Sequence, residues 1–150
     1  MRIDDRLAKI VIRPRPRVSH KGSFGKVLLI GGSYPYNGAI ILSALASVHA
    51  GAGLVTVATE KDNILALHSQ LPEAMAFDVY DFSLLKQQIE LADVLLIGPG
   101  LGESVLAGKI LNLVLTGVQS HQILVIDGSA LNLLAQESSV HWQTQRLILT

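Results

Sequence analysis

Three apolar runs each end in Gly, Ser or Asp, and the residues at those ends are the ones whose types could do chemistry. Asp93–Ile97 passes into Gly98-Pro99-Gly100-Leu101-Gly102, Lys26–Ile30 into Gly31-Gly32-Ser33, and Ile123–Ile126 into Asp127-Gly128-Ser129. Glycine at alternate positions lets backbone N–H groups approach a ligand that side chains would block. Asp127 stands where a carboxylate could orient a ligand or take a proton. Capping the following helix is its plain alternative. Asn132 faces either the same crevice or solvent. Asn37-Gly38-Ala39 leaves the start of a helix free of bulk, where unpaired N–H groups favour an anion. The same small residues also suit a tight turn and close helix–sheet packing.

Other chemistries lack their residues. The glycines match neither the dinucleotide fingerprint nor the Walker A loop. No Gly-x-Ser-x-Gly elbow is present, which argues against an α/β-hydrolase. His20, His49, His68, His121 and His141 are scattered without metal-ligand spacing, so no metal site is expected from the spacing of side chains. The chain has no cysteine, which excludes disulfides, thiolate metal sites and thiol nucleophiles and leans towards a cytoplasmic location.

Formal net charge is +0, with 12 basic and 12 acidic residues, so there is no broad electrostatic case for nucleic acid. The one basic cluster, Arg13, Arg15, Arg17 and Lys21, is interleaved with Pro14 and Pro16 and reads as an exposed arm. Hydrophobic residues make up 49% and aromatic ones only 5%, which suits an aliphatic α/β core. The start of the chain is charged and has no apolar signal-peptide core. Gly38–Ala58 is uncharged and long enough to span a bilayer. Gly51 and Gly53 divide it, however, and Leu54–Ala58 is β-branched and strand-like. A helix, a turn and a buried strand account for it without a membrane.

The elements that must position these residues follow from periodicity. A short helix is expected over Asp4–Ile12, then an extended arm with turns over Arg13–Gly25. Strands are expected at Lys26–Ile30, Leu54–Ala58, Ala74–Asp78, Asp93–Ile97, Gln122–Ile126 and Arg146–Thr150. Helices are expected at Gly38–Ala50, Lys61–Ser69, Phe82–Leu91, Ser104–Thr116 and Ala130–Gln136, with Ser104 as a cap. Alternating β and α elements imply a mostly parallel sheet with helices on both faces. Ligands bind such sheets at the carboxyl ends of the strands. The last strand has nothing after it to cover it. The chain therefore reads as residues 1–25, an N-terminal helix and arm, and residues 26–150, the first half of an α/β domain truncated at its C-terminus.

The motifs also resemble a family when taken in order. They are Ser19-His20-Lys21-Gly22-Ser23-Phe24-Gly25-Lys26, Gly31-Gly32-Ser33, Tyr36-Asn37-Gly38-Ala39, His49-Ala50-Gly51-Ala52-Gly53-Leu54-Val55, Leu71-Pro72-Glu73-Ala74-Met75, Gly98–Gly102 and Asp127–Asn132. Together they resemble the NAD(P)H-hydrate dehydratases, ribokinase-like enzymes with a three-layer α/β/α fold and a mostly parallel sheet. The resemblance runs from Arg13 to the end of the chain.

It implies a lyase that repairs NADHX and NADPHX, the hydrated reduced nicotinamide cofactors, using ADP or ATP as phosphoryl donor with Mg2+. It also implies a cytoplasmic homo-oligomer, such as a tetramer, with neither nucleic acid nor membrane as partner. Carried over by position, Ala39 and Gly102 match hydrate-binding positions. Gly38 and Gly100 lie beside them, and Asp127 and Asn132 match a strand-end motif. Ser129 stands where many relatives are acidic. Relatives continue past Thr150 with a Pro-His-x-Gly-Glu segment and a later Gly-x-Gly-Asp turn that holds the anion hole and the catalytic aspartate, so the catalytic residues are expected beyond residue 150. The alternatives are a related kinase of the hydroxymethylpyrimidine or hydroxyethylthiazole type, or a non-catalytic nucleotide-binding fragment. The Ser19–Gly25 arm and the Leu71–Met75 segment favour the dehydratase.

Overall fold

The computed structural model describes residues 15–150, so the helix expected over Asp4–Ile12 lies outside the described residues. The order along the chain is β1 (Lys26–Ile30), α1 (Asn37–His49), β2 (Leu54–Thr59), α2 (Ile64–Gln70), β3 (Met75–Asp78), α3 (Phe82–Leu91), β4 (Val94–Ile97), α4 (Val105–Gly117), β5 (Ile123–Ile126), α5 (Ser129–Leu134) and β6 (Leu147–Leu149). The strands form one sheet in the order β3-β2-β1-β4-β5-β6, and every pairing is parallel.

Unbroken apolar runs are what a parallel sheet covered on both faces requires. Alternate residues of each strand feed two cores. Leu28, Ile30, Leu95, Ile97, Leu124 and Ile126 pack under α3, α4 and α5 through Leu85, Ile89, Ile110 and Val114. Leu29, Val55 and Val57 pack under α1 and α2 through Ile40, Ala44 and Leu67. The Leu54–Ala58 run is therefore a core strand. Among the described residues no helix is long and apolar enough to cross a membrane.

The expected boundaries move where local hydrogen bonds intervene. Residues Lys61–Asn63 form a 3-10 turn before α2, because the buried Asn63 side chain is tied back to Thr59 Oγ1 at 3.0 Å. Strand β3 starts at Met75, since the Ala74 N–H is used in a turn to the Leu71 carbonyl. Helix α5 ends at Leu134; beyond Ala135 the N–H groups of Gln136 and Glu137 make tighter bonds to residues three back. The arm is pinned in part. Arg15 lies 4.1 Å over the Phe24 ring and donates to the Gly51 carbonyl at 2.8 Å. Lys21–Phe24 winds into a 3-10 turn.

Two features set the frame for the site. From β1 the chain winds outwards through β2 and β3, then returns to the other side of β1 for β4. The join between β1 and β4 is thus the switch point of the sheet, and open α/β sheets bind ligands in the crevice outside the carboxyl ends of the strands at such a point. Strand β6 pairs with β5 on one side only, and Ile148 and Leu149 are about half exposed.

Candidate functional site at the strand ends

The three strand-end segments lie side by side because β1, β4 and β5 are neighbours running the same way. The ladder continues one residue past the strands. The Gly98 N–H donates to the Ile30 carbonyl at 3.1 Å, and the Asp127 N–H to the Ile97 carbonyl at 3.0 Å. The loops then bond to one another, with Gly32 N–H to the Pro99 carbonyl at 3.0 Å and Ser33 N–H to the Gly100 carbonyl at 2.7 Å. Gly31–Ala39, Gly98–Gly102 and Asp127–Asn132 therefore share one rim, with Ala39 and Gly102 on the same edge of the sheet.

The glycines divide into two groups. A Cβ on Gly98 would overlap the Asp127 carbonyl, and one on Gly100 the Tyr36 carbonyl. One on Gly31 would overlap the Pro99 carbonyl. These glycines let the loops approach each other. Gly38 and Gly102 have nothing within 4 Å of the Cβ position. They are the ones that leave open space for another molecule. Ala39, half-buried, begins α1 beside Gly38, with its N–H 3.3 Å from the Tyr36 carbonyl. Residue Tyr36 supplies no side-chain cap to that helix.

Asp127 is half-buried, and no hydrogen bond among the described residues engages its carboxylate. The residue before α5 is Gly128, at φ 51°, and no side chain caps the helix. The capping alternative for Asp127 is not what the structure shows. Asn132 is exposed and donates from Nδ2 to Glu103 Oε1 at 2.7 Å, joining the β4 and β5 loops. Ser104 does cap α4, accepting from the Ala107 N–H at 3.1 Å.

Sequence reasoning passed over a second group. Glu60 follows β2 as Asp127 follows β5. Its two oxygens accept from the Tyr34 N–H and the Tyr80 O–H, each at 3.0 Å. One carboxylate thus ties the loop after β1 to the segment after β3. Tyr80 is held above its ordinary pKa, first by burial, then by the bond to Glu60 and that carboxylate's charge, with a Ser33 hydrogen bond pulling the other way. Beneath the loop, Thr59 Oγ1 donates to the Gly32 carbonyl at 3.0 Å, and Asn63 Nδ2 reaches the Asn37 carbonyl at 3.3 Å. The available signal was an acid or hydroxyl at the end of β2, the same signal that singled out Asp127.

The crevice segments carry no Lys or Arg. Among the described residues no three His, Asp or Glu gather as a cation cage. Asp127 offers a single carboxylate, so these residues do not themselves fit Mg2+. A groove of about 210 Å³ lies at the opposite, amino end of the sheet, against Leu28, Leu54, Met75 and Leu91. Its walls are mainly aliphatic, with Lys26, Thr56 and Gln88 as their polar side chains.

An open parallel sheet between two helical layers, with its switch point between β1 and β4, defines a three-layer α/β/α protein, and its structural neighbours include a ribokinase-like superfamily protein of Enterococcus faecalis at 44% identity and a TM-score of 0.89. The family model for NAD(P)H-hydrate dehydratase matches residues 27–150, and the chain belongs to that family. A relative from Streptococcus thermophilus named ADP-dependent (S)-NAD(P)H-hydrate dehydratase is 57% identical over 150 residues, covering 100% of this chain and 54% of the relative. The crystal structure of hypothetical protein SMU.573 from Streptococcus mutans aligns with a TM-score of 0.94 at 59% identity, covering 99% of this chain and 54% of that one. The ADP/ATP-dependent NAD(P)H-hydrate dehydratase of Bacillus subtilis, co-crystallised with ATP/Mg2+, aligns at 0.77 with 25% identity, covering 97% and 50%. The chain spans about half the length of the curated relatives it matches.

Proposed function

We propose that this chain forms the hydrate-binding half of an ADP-dependent NAD(P)H-hydrate dehydratase, and that the crevice between the β1, β4 and β5 loops holds NADHX or NADPHX. The reading rests on one observation above all. Gly102 and Gly38, the two glycines of the three strand-end segments with open space at the Cβ position, lie on the same rim as the unengaged Asp127 carboxylate. Family membership and the relative's name support the same substrate.

The chemistry suits such a platform. The hydrated nicotinamide ring must lose hydroxide, a poor leaving group. ADP supplies a phosphoryl group to that hydroxyl oxygen and departs as AMP. The ring nitrogen lone pair then expels phosphate, and loss of a ring proton restores the double bond. Ala39, Gly38 and Gly102 form the small-residue wall along which the ring lies, and Gly100 supports it by letting the β4 loop close on Tyr36. Asp127 and Asn132 face its polar groups from the β5 side. Positioning of this kind is a large part of what phosphoryl-transfer enzymes contribute. ADP, or ATP, is the donor. Mg2+ travels with its phosphates, as is usual for an ion that prefers phosphate oxygen and water. The active enzyme is a homo-oligomer working in the cytoplasm.

The test is titration of NADHX into the 15N-labelled chain. The Gly102 and Ala39 amide signals are expected to shift, while those in the amino-end groove at Leu54 and Leu91 stay in place. Shifts confined to other parts of the sheet would remove the crevice from consideration.

A further inference from the structure

All three tyrosines of the chain, Tyr34, Tyr36 and Tyr80, lie on this one rim. A ring that only filled the core would be buried, yet Tyr34 is 84% exposed, Tyr36 61% and Tyr80 38%. The loop that presents them is braced. The Tyr34 N–H is held by Glu60 at 3.0 Å, Tyr36 N–H by the Ser33 carbonyl at 2.7 Å, and Ser33 N–H by the Gly100 carbonyl at 2.7 Å. The Tyr80 hydroxyl is fastened to the same Glu60 carboxylate at 3.0 Å. Exposed aromatic rings on a backbone fixed in this way form a pre-positioned surface for another flat ring. Such stacking needs only a π-face and adds affinity without demanding a particular hydrogen-bond pattern.

Position decides which ring. Tyr34 and Tyr80 sit over the ends of β2 and β3, whereas Gly102 follows β4. Three strand spacings separate β3 from β4, about 14 Å at some 4.8 Å each. A dinucleotide lying across the strand ends with its hydrated ring at Gly102 would carry its other base towards the tyrosines. The hydrated ring is puckered at its hydroxyl-bearing carbon and is not aromatic. The adenine at the other end is flat.

We propose that Tyr34, with Tyr80 beside it, is a stacking subsite for the adenine of the hydrated dinucleotide, and that Glu60 positions both. The proposal rests on the substrate reading given above, and its test separates the two. Two probes are used: NADHX, and the hydrate of reduced nicotinamide mononucleotide, which lacks the adenosine half. Tyr34→Ala is expected to weaken NADHX binding roughly tenfold, within the range seen when a stacking aromatic is removed, and to leave the mononucleotide hydrate unaffected. Tyr34→Phe retains the ring face and binds NADHX as the parent does. Gly102→Trp weakens both probes. Thermal unfolding of the exposed-site variants checks that the fold is retained. If Tyr34→Ala weakens both probes equally or neither, the adenine subsite is overturned while the substrate reading stands on Gly102→Trp. If neither probe binds the parent chain, the substrate reading fails and takes the subsite with it.

Discussion

At the residue scale, equal residue types do unequal work in this crevice. Gly98 and Gly102 both have positive φ, at 126° and 73°. A methyl group on Gly98 would run into the Asp127 carbonyl; on Gly102 it meets nothing within 4 Å. Gly98→Ala should therefore cost on the order of 3 kcal/mol or more, as expected for steric overlap combined with strained backbone. Gly102→Ala should cost only the ~1–2 kcal/mol of a non-glycine left-handed residue. Urea unfolding of the two variants checks this ordering, and equal losses would remove the distinction between loop-packing and open glycines. Tyr80 offers a pH test. Its folded pKa lies above the ordinary 10.0, so the unfolded chain gives up this proton first. Its contribution to stability is whole below pH 10 and fades as the pH rises through the folded midpoint. Glu60→Gln removes the carboxylate that raises the midpoint and should bring it down, as read by 13C NMR of the labelled tyrosine ring.

At the element scale, side-chain bonds at the element ends hold the sheet and helices in register. Gln122, fully buried, donates from Nε2 to the Ile89 and Ala92 carbonyls at 2.6 Å each, and accepts from the Gln119 N–H at 2.7 Å. It satisfies the end of α3 from the start of β5. Gln122→Leu keeps similar bulk but leaves those carbonyls without the donor, at a cost of about 2–3 kcal/mol. Ser104→Ala removes an ordinary helix cap and should cost ~1 kcal/mol. Chemical denaturation should rank the Gln122 variant as the less stable; the reverse order would mean that the bonds across α3 and β5 matter less than one cap. Neither change touches Gly102 or Ala39, so hydrate-induced amide shifts should persist in the folded fraction.

At the scale of the whole molecule, the crevice holds one unengaged carboxylate and no Lys or Arg in its three segments. Phosphoryl transfer needs a group to orient or deprotonate the attacking hydroxyl and donors to hold phosphate charge. Residues 1–150 alone are therefore expected to show no ADP-dependent recovery of NADH from NADHX. Joined to the remaining C-terminal portion of the Streptococcus thermophilus relative, they should gain it. Turnover by the isolated monomer would overturn this division of labour.

Local residue pattern sets the alternation of strands and helices, because buried parallel strands must be apolar throughout and their connecting helices are amphipathic. Lys26–Ile30 and Phe82–Leu91 were legible to the residue, and Ser104 was legible as a cap. It also marked Gly31–Ala39, Gly98–Gly102 and Asp127–Asn132, since glycine and aspartate after an apolar run are a local pattern. What it could not contain was the order β3-β2-β1-β4-β5-β6, which places β4 beside β1 and so brings distant segments onto one rim. Only that arrangement decided that Gly98 and Gly100 serve loop packing while Gly38 and Gly102 stay open. It also decided that Asp127 does not cap α5. The Glu60 link to Tyr34 and Tyr80 spans 26 and 20 residues of chain. No local pattern carries such a bond, because it exists only after three parallel strands have brought their carboxyl ends together.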